Sequence, residues 1–219
     1  MLPFELRHAT SVGEALELLR EEDAHVLAGG TALILLMKQG LLRPARLVSI
    51  AGVADLRGIE RRPDGSLRIG AVATHRDAER SSVVRDHCGA LADAFASVAT
   101  PRIRAQATVG GSLAHADPAH DPLPMLIALG ASAVVASAAG ERTVLLDELF
   151  IDVFETVIGS GEVLREVVVP PLAPGTRATY VKFLPRTEDD YATVAVAALA
   201  QVEADGRCAD VRVALGAVG

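Results

Sequence analysis

The sequence predicts an α+β fold with two subdomains, followed by a three-stranded antiparallel sheet. Strand-like and helix-like stretches alternate over the first 55 residues, and after Gly52 the pattern changes to turn-flanked strands and helices. The proline-rich segment PPLAPGT at 170–176 then separates this region from three strand-like stretches. We therefore place the subdomains at 1–55 and 56–172, and the C-terminal sheet at 177–219.

In the first subdomain, the segment SVGE at 11–14 has the pattern of a capping box and predicts a helix that runs to about Glu22. A strand at 25–28, a helix from 32 to about 39 and a strand at 46–50 follow. Because strands and helices alternate, parallel pairing of the strands is expected.

In the second subdomain, Pro63-Asp64-Gly65 marks a turn and Thr74 is the expected N-cap of a short helix through Arg80. A longer helix is expected at 83–98, ending before Pro101. The remaining elements are a strand at 67–71, a helix at 124–129, and strands at 133–136, 142–146 and 162–169.

The last three strands are expected at 179–184, 193–203 and 209–215. Asp205-Gly206 is a strong hairpin signal between the second and the third of them.

Composition excludes several classes of protein. The formal net charge is −7 and the pI is about 5.4, which argues against a nucleic-acid surface. The N-terminus lacks a secretory signal, and no stretch approaches the roughly 18 apolar residues of a membrane helix, so a cytoplasmic location without a membrane span is expected. Two cysteines, Cys88 and Cys208, are too few for an iron–sulfur cluster.

Two glycine-bearing segments carry the strongest functional signal: LAGGTAL at 27–33 and TVGGSLAHADPAHD at 108–121. Each places paired glycines and a small hydroxyl residue between a strand-like stretch and a helix-like one. A helix start offers unpaired N–H groups and partial positive charge, and glycine allows close approach. Two such loops predict a site that grips one diphosphate, although paired glycines also occur in ordinary tight turns.

The segments LAGGTALILLMK at 27–38 and VATPRIRAQATVGGSLAHADPAHD at 98–121 resemble the two FAD signatures of the medium subunit of molybdenum hydroxylases. This family includes carbon monoxide dehydrogenase and xanthine dehydrogenase. The resemblance implies a PCMH-type FAD-binding fold with the cofactor between two subdomains. It also implies that the chain is an electron-transfer subunit with two partners. A large molybdopterin subunit would pass electrons to a small 2Fe–2S subunit, and the flavin of this chain would take them from there and pass them to oxygen, NAD or a quinone.

The resemblance also assigns roles to individual residues. None of them is catalytic, because the flavin itself performs the redox step. Asp121, supported by Asp117, is expected to accept hydrogen bonds from ribose or ribityl hydroxyls. Tyr191 is expected against the isoalloxazine face, and Lys182 near the flavin edge, where its charge favours the anionic reduced flavin. Leu164 and Val98 would cover the flavin. The diphosphate would be bound by the two loops, with hydroxyl donors from Thr31 and Ser112; the loop residues are Leu27, Ala28, Gly29, Gly30, Thr31, Ala32, Leu33, Thr108, Gly110, Gly111 and Ser112.

Several alternatives stay open from the residues alone. Lys182 and Tyr191 flank a charged loop at 186–190 that also suits a solvated surface, and Leu164 and Val98 also suit an ordinary core. The run from His115 to Asp121 contains metal-ligand residue types, but Pro118 interrupts it and no partner cluster is present, so no metal site is expected. A stand-alone flavin oxidase or reductase and a flavin-free scaffold subunit are the rival functions.

Overall fold

The computed structural model describes residues 2–184, 186–187 and 189–218. Glu188, part of the charged loop considered above, lies outside the described residues. The N-terminal part contains β1 (Glu5–His8), α1 (Val12–Leu18), β2 (Ala24–Leu27), α2 (Leu33–Gln39) and β3 (Arg46–Ser49). Its three strands form a parallel sheet in the order β1-β3-β2, which confirms the expected parallel pairing.

Two details of this part differ from the expectation. Strand β1 was not anticipated, because ELRH at 5–8 has no alternating apolar pattern and the strand lies at the sheet edge. Helix α1 ends at Leu18 instead of Glu22. Ser11 caps its start, with its hydroxyl accepting from the N–H of Glu14 at 3.1 Å, while the Glu14 carboxylate accepts from the N–H of Thr10 instead of completing a box with Ser11.

The central part is an antiparallel sheet with helices packed beside it, and a 3-10 turn at Ala54–Leu56 leads into it. The elements in chain order are β4 (Ile59–Arg61), β5 (Leu67–Gly70), α3 (His75–Arg80), α4 (Ser82–His87), α5 (Gly89–Ala96), α6 (Pro101–Arg104), α7 (Val109–His115), α8 (Pro122–Ala128), β6 (Ser132–Ser137), β7 (Gly140–Leu145), β8 (Phe150–Asp152), β9 (Glu155–Thr156) and β10 (Val163–Val169). The strands of the five-stranded sheet lie in the order β4-β5-β10-β6-β7, and β8 and β9 form a separate two-stranded hairpin.

The helix expected at 83–98 is two helices, α4 and α5, because the chain is extended at Cys88, with φ −156° and ψ 109°. Gly89 follows directly, and glycine is a poor helix former. As expected, Thr74 caps α3, in a capping box with Asp77.

The C-terminal part is an antiparallel sheet of β11 (Thr176–Phe183), β12 (Val194–Val202) and β13 (Cys208–Gly216) in sequential order. Gly206 has φ +85° in the hairpin turn that the sequence indicated. Ala197 and Leu199 of β12 are buried in the main core, so this sheet packs on the central part. The subdomain bounds 1–55, 56–172 and 177–219 stay a prediction.

Two buried clusters hold the parts together. The larger one includes Phe95, Leu67 and Met125 in the central part. The smaller one joins Val48 of the N-terminal sheet to Val163 of β10, which fixes the N-terminal part against the central sheet. Among the described residues, no helix is both long and apolar enough to cross a lipid bilayer.

Candidate functional site

A mostly apolar cleft of about 560 Å³ lies where the N-terminal and central parts meet. Its lining includes the chain that follows β2, the start of α7 and part of β10. A volume in this range suits a small molecule or cofactor. Among the residues that the resemblance assigns to the FAD site, only Leu27 and Lys182 lie outside the lining that the described residues form.

The first glycine loop, residues 28–32, connects β2 to α2 and has an open backbone. Gly30 adopts φ +74°, a conformation that glycine tolerates at little cost. Ala32 occupies the N-cap position without a side-chain hydrogen bond. Within the residues that the structure describes, the N–H groups of residues 29–32 have no hydrogen-bond partner. These donors are available to an anionic ligand.

The second glycine segment has a different structure from the one expected. Gly110 and Gly111 lie in the first turn of α7, after an isolated bridge between Thr74 and Thr108, and not in a turn before the helix. The N–H of Val109 donates to the carbonyl of Ala73 and that of Gly110 to the carbonyl of Ala71, both at 2.9 Å.

The next two N–H groups are also occupied. The Thr108 hydroxyl accepts from the N–H of Gly111 at 3.2 Å, and the Thr108 carbonyl accepts from the N–H of Ser112 at 3.0 Å. Glycine at position 110 therefore allows this segment to pack closely against the chain at Ala71. A Cβ at Gly110 would lie 2.6 Å from the Cβ of Ala71, closer than packed carbons approach.

The two glycine segments pack directly against each other. The Gln106 side-chain amide donates to the carbonyl of Gly29 at 2.9 Å, across 77 residues of sequence. A Cβ at Gly29 would lie only 2.1 Å from the Gln106 carbonyl oxygen, so glycine is required for this approach. This contact fixes the first glycine loop against the chain that leads into α7.

Asp121 is buried and its carboxylate is already paired. Its Oδ1 accepts from the Tyr180 hydroxyl and its Oδ2 from the Lys182 ammonium, both at 3.0 Å. Lys182 also donates to the carbonyl of Ser97 at 2.9 Å. Burial raises the pKa of Asp121, and the hydrogen bond and charge of Lys182 oppose that rise.

This cluster connects β11 to the floor of the cleft. Sequence reasoning missed Tyr180, yet Tyr180 and Lys182 are two residues apart on one strand and share a face, a period-2 signal that could have linked them. Burial, followed by the charge of Asp121, raises the pKa of Tyr180. Lys182, expected at a ring edge, is 6% exposed at its side chain and acts as the counter-ion of Asp121.

Tyr191, Asp117 and Leu164 also contribute to the cleft lining. Tyr191 is 71% exposed as a residue, and partial burial of its hydroxyl group, with the nearby charges of Asp117 and Asp121, raises its pKa. Asp117 accepts from the N–H of Ala119 at 2.9 Å, which shapes the turn after α7. Leu164 is buried and offers an apolar surface. The roles assigned to these residues stay predictions.

Three histidines to which the sequence analysis gave no role in binding also line the cleft: His75, His115 and His120. His75 is buried at the start of α3, and its Nε2 lies 2.7 Å from the Ser112 hydroxyl oxygen. Within the described part of the chain, no group of three or more His, Cys, Asp or Glu side chains is arranged to hold a metal ion.

The fold and this site define a flavoprotein class. Residues 2–172 match the family described as the FAD binding domain in molybdopterin dehydrogenase, and residues 179–219 match the CO dehydrogenase flavoprotein C-terminal domain. The chain belongs to this family, which confirms the resemblance found in the sequence, gives FAD as the cofactor, and makes the chain an oxidoreductase subunit.

Particular relatives agree with the assignment. The chain is 37% identical over 207 residues to the 6-hydroxypseudooxynicotine dehydrogenase complex subunit alpha of Paenarthrobacter nicotinovorans, covering 94% of this chain and 69% of the relative. It is 38% identical over 202 residues to the carbon monoxide dehydrogenase medium chain of Hydrogenophaga pseudoflava, covering 90% and 69%.

Solved structures show the same fold. Carbon monoxide dehydrogenase from Hydrogenophaga pseudoflava matches with a TM-score of 0.92 at 35% identity, covering 99% of this chain and 76% of that one. Quinoline 2-oxidoreductase from Pseudomonas putida 86 matches with a TM-score of 0.92 at 33% identity, covering 99% and 75%. The expected α+β fold with a C-terminal three-stranded antiparallel sheet is therefore confirmed.

Proposed function

We propose that this chain is the electron relay of a molybdenum hydroxylase. It would hold FAD in the cleft, receive electrons from the 2Fe–2S clusters of a small partner subunit, and pass them to oxygen, NAD or a quinone. A large molybdopterin subunit would oxidise the substrate. The first glycine loop carries this proposal, because the N–H groups of residues 29–32 have no hydrogen-bond partner among the described residues and these residues line a cleft of cofactor size.

The donor set of the cleft fits FAD. The N–H groups of residues 29–32 suit the diphosphate, and Gly110, Gly111 and Ser112 at the start of α7 line the same cleft. Asp117 can accept from sugar or ribityl hydroxyls, because carboxylates accept hydrogen bonds and repel phosphate. Asp121 already accepts hydrogen bonds from Tyr180 and Lys182, so its role would be to hold β11 beside the part of the cleft where Asp117 lies. Apolar lining and the exposed ring of Tyr191 suit an aromatic ring system.

Bound FAD would supply the step between one-electron iron–sulfur carriers and the external acceptor. The protein's part is to hold the cofactor, exclude water and set the charge around it. The relatives named above include subunits of dehydrogenase complexes, which supports a role within an assembly. The rival, a stand-alone flavin oxidase or reductase, requires turnover without partner subunits.

Reconstitution tests the proposal. Apoprotein mixed with FAD should form a stoichiometric yellow complex, and anaerobic addition of a reduced 2Fe–2S partner subunit should reduce the flavin faster than the same donor reduces free FAD. A flavin that only a direct small-molecule substrate reduces, with turnover in the absence of partners, would favour the stand-alone enzyme. Failure to bind FAD would leave the scaffold role.

Gly111→Val is expected to prevent FAD retention, because a branched side chain would enter the cleft beside Ala28, which lies 3.8 Å from the position of a Cβ at residue 111. The absorbance ratio of flavin to protein after gel filtration measures retention. Gly111→Ala is the control, since its Cβ makes the same 2.7 Å approach to the Thr108 hydroxyl but lacks the γ-methyl groups. Full loading of the valine variant would exclude the proposed role of this residue.

Tyr191→Ala is expected to keep most FAD binding while changing the rate at which reduced flavin is reoxidised, because the lost ring would have covered the isoalloxazine. Since Tyr191 is 71% exposed, the free energy of unfolding should change by less than about 0.5 kcal/mol. Stopped-flow reoxidation measures the effect, and Tyr191→Phe, which keeps the ring, should behave like the wild type. Identical reoxidation in the alanine variant would contradict stacking.

A further inference from the structure

The cleft is poor in positive charge for a diphosphate site. In the parts of the chain that the structure describes, no Lys or Arg side chain contributes to its lining. The Glu162 carboxylate forms an ion pair with the Arg142 guanidinium, with 2.7 Å between nitrogen and oxygen. The Asp121 carboxylate forms one with the Lys182 ammonium, with 3.0 Å between nitrogen and oxygen. The carboxylates and histidines of the lining are Asp117, Asp121, Glu162, Asp189, His75, His115 and His120.

Two negative charges of a diphosphate would therefore enter a site that is already acidic. The backbone N–H groups of the first glycine loop supply only partial positive charge. Of the lining side chains, histidine is the type that becomes a cation near neutral pH.

His75, which is buried, and His120, which is half-buried with both ring nitrogens buried, form a pair beside the second glycine segment. Their ring centroids are 5.3 Å apart in an edge-on arrangement. The Nε2 of His75 lies 2.7 Å from the hydroxyl oxygen of Ser112, so the pair is connected to the segment proposed to border the diphosphate. His75 Nδ1 and both ring nitrogens of His120 are buried without a hydrogen-bond partner among the described residues.

Unpartnered buried nitrogens are costly, because each loses its hydrogen bonds to water without gaining a replacement. One added proton changes the chemistry of the pair, because a protonated ring donates from both of its nitrogens and the neutral ring accepts. A shared proton would give the Nδ1 of His75 and one nitrogen of His120 a common hydrogen bond after a small movement of the rings. The Ser112 hydroxyl would then accept from His75 and donate its own proton towards the ligand.

The surroundings of the pair favour the neutral form of both rings when no ligand is bound. Burial, followed by the charge of Arg104 on α6, lowers the pKa of His75 to about 4. Burial, followed by the charges of His75 and His115, lowers the pKa of His120 well below its usual value. Arg104 itself is paired with Glu79 on α3 at 2.9 Å, and α5 contributes the apolar ring of Phe95.

Three further charged groups belong to the surroundings of the pair: Asp117, Asp121 and Lys182. Asp117 and Asp121 flank His120 in the chain, and Lys182 on β11 neutralises Asp121. A dianionic group added to the cleft would oppose the effects of burial and of Arg104, because a nearby negative charge favours the protonated ring.

We propose that the His75–His120 pair takes up a proton when the diphosphate of FAD fills the cleft, so that cofactor binding is coupled to protonation of the protein. The proton comes from solvent and no bond other than N–H is formed. This inference rests on the proposed function and adds to it a means of balancing charge.

Isothermal titration calorimetry of the apoprotein with FAD tests the coupling, at pH 6.5 in PIPES and in imidazole, two buffers with different ionisation enthalpies. FAD is a suitable probe because its diphosphate diester has no proton to gain or lose near this pH. The expected result is a buffer-dependent heat that corresponds to uptake of roughly half a proton per site, with affinity about two- to tenfold higher at pH 6 than at pH 8.

His120→Asn and His75→Asn should each remove most of the buffer dependence and flatten the pH profile of affinity, while FAD still binds. His120→Asn carries the test if His75→Asn fails to fold, since His120 is only half-buried as a residue. His115→Asn is the matched control within the cleft and should keep the proton uptake.

The outcomes separate this inference from the proposed function. FAD binding without buffer dependence, or uptake that disappears with His115 and persists in His120→Asn, overturns the proton coupling and leaves the flavin site intact. Absence of FAD binding by the wild type overturns both.

Discussion

Gly29→Ala is expected to abolish FAD binding and to destabilise the fold. The added Cβ would lie 2.1 Å from the carbonyl oxygen of Gln106, a backbone atom that cannot rotate away. Relief requires the first glycine loop to separate from the segment that leads into α7, which breaks the Gln106 to Gly29 hydrogen bond. Overpacking of this kind costs roughly 1–3 kcal/mol.

Two measurements check this expectation: the dissociation constant of FAD by fluorescence quenching, and the free energy of unfolding in urea. Gly89→Ala is the matched control, because in the described part of the chain a Cβ at Gly89 would have no atom within 4 Å beyond its chain neighbours and its own helix backbone, and the residue begins helix α5. This control should bind FAD normally, with stability unchanged or slightly increased. Normal FAD affinity in Gly29→Ala would contradict the proposed geometry of the loop pair.

Lys182→Met is expected to lower the free energy of unfolding by about 3 kcal/mol near neutral pH. Removing one member of a buried ion pair leaves the other charge uncompensated, at a cost of roughly 3–5 kcal/mol when the charge persists. Both side chains of the pair are below 10% exposed, at 6% for Lys182 and 7% for Asp121. FAD affinity should fall as well, since Asp121 borders the cleft.

The loss should depend on pH in a defined direction. The pKa of Asp121 is already raised by burial, and without Lys182 it would rise further. A folded carboxyl that holds its proton more tightly than the unfolded chain stabilises the fold at low pH. That contribution is lost as the pH rises from the ordinary value of about 3.9 through the raised folded pKa. The stability gap between wild type and variant should therefore be small near pH 4 and largest near neutral pH.

The double variant Lys182→Met with Asp121→Asn provides the control, because the neutral amide removes the stranded charge while its oxygen can still accept from Tyr180. It should recover much of the lost stability and show a flatter pH profile. A gap between wild type and Lys182→Met that is independent of pH would contradict the assignment of Lys182 as the counter-ion of Asp121.

The sequence predicted those parts of the structure that depend on neighbouring residues. Thr74 caps α3 as predicted, because its hydroxyl can accept from the N–H of Asp77, one helical turn further along the chain. Asp205-Gly206 forms the hairpin turn because Gly206 adopts a positive φ without strain. The order of glycine pair, small hydroxyl residue and helix correctly placed α2 after the first loop.

The parts that sequence reasoning missed depend on contacts between distant segments. The N–H groups of Val109 and Gly110 are bonded to carbonyls in the chain between β5 and α3, a pairing that no local pattern in 108–121 indicates. Lys182 and Asp121 are 61 residues apart, and His75 and Ser112 are 37 apart. The division of the helix expected at 83–98 has a local cause instead, because the chain is extended at Cys88 and Gly89, a poor helix former, follows directly.

The absorbance spectrum of the purified chain tests the central claim most directly. It is recorded before and after anaerobic reduction, and again after FAD has been added to any colourless fraction. Flavin bands that stay with the protein through gel filtration and bleach on reduction are the expected result. A colourless protein that takes up no added FAD would contradict the account, because the cleft and the open first glycine loop would then bind no flavin.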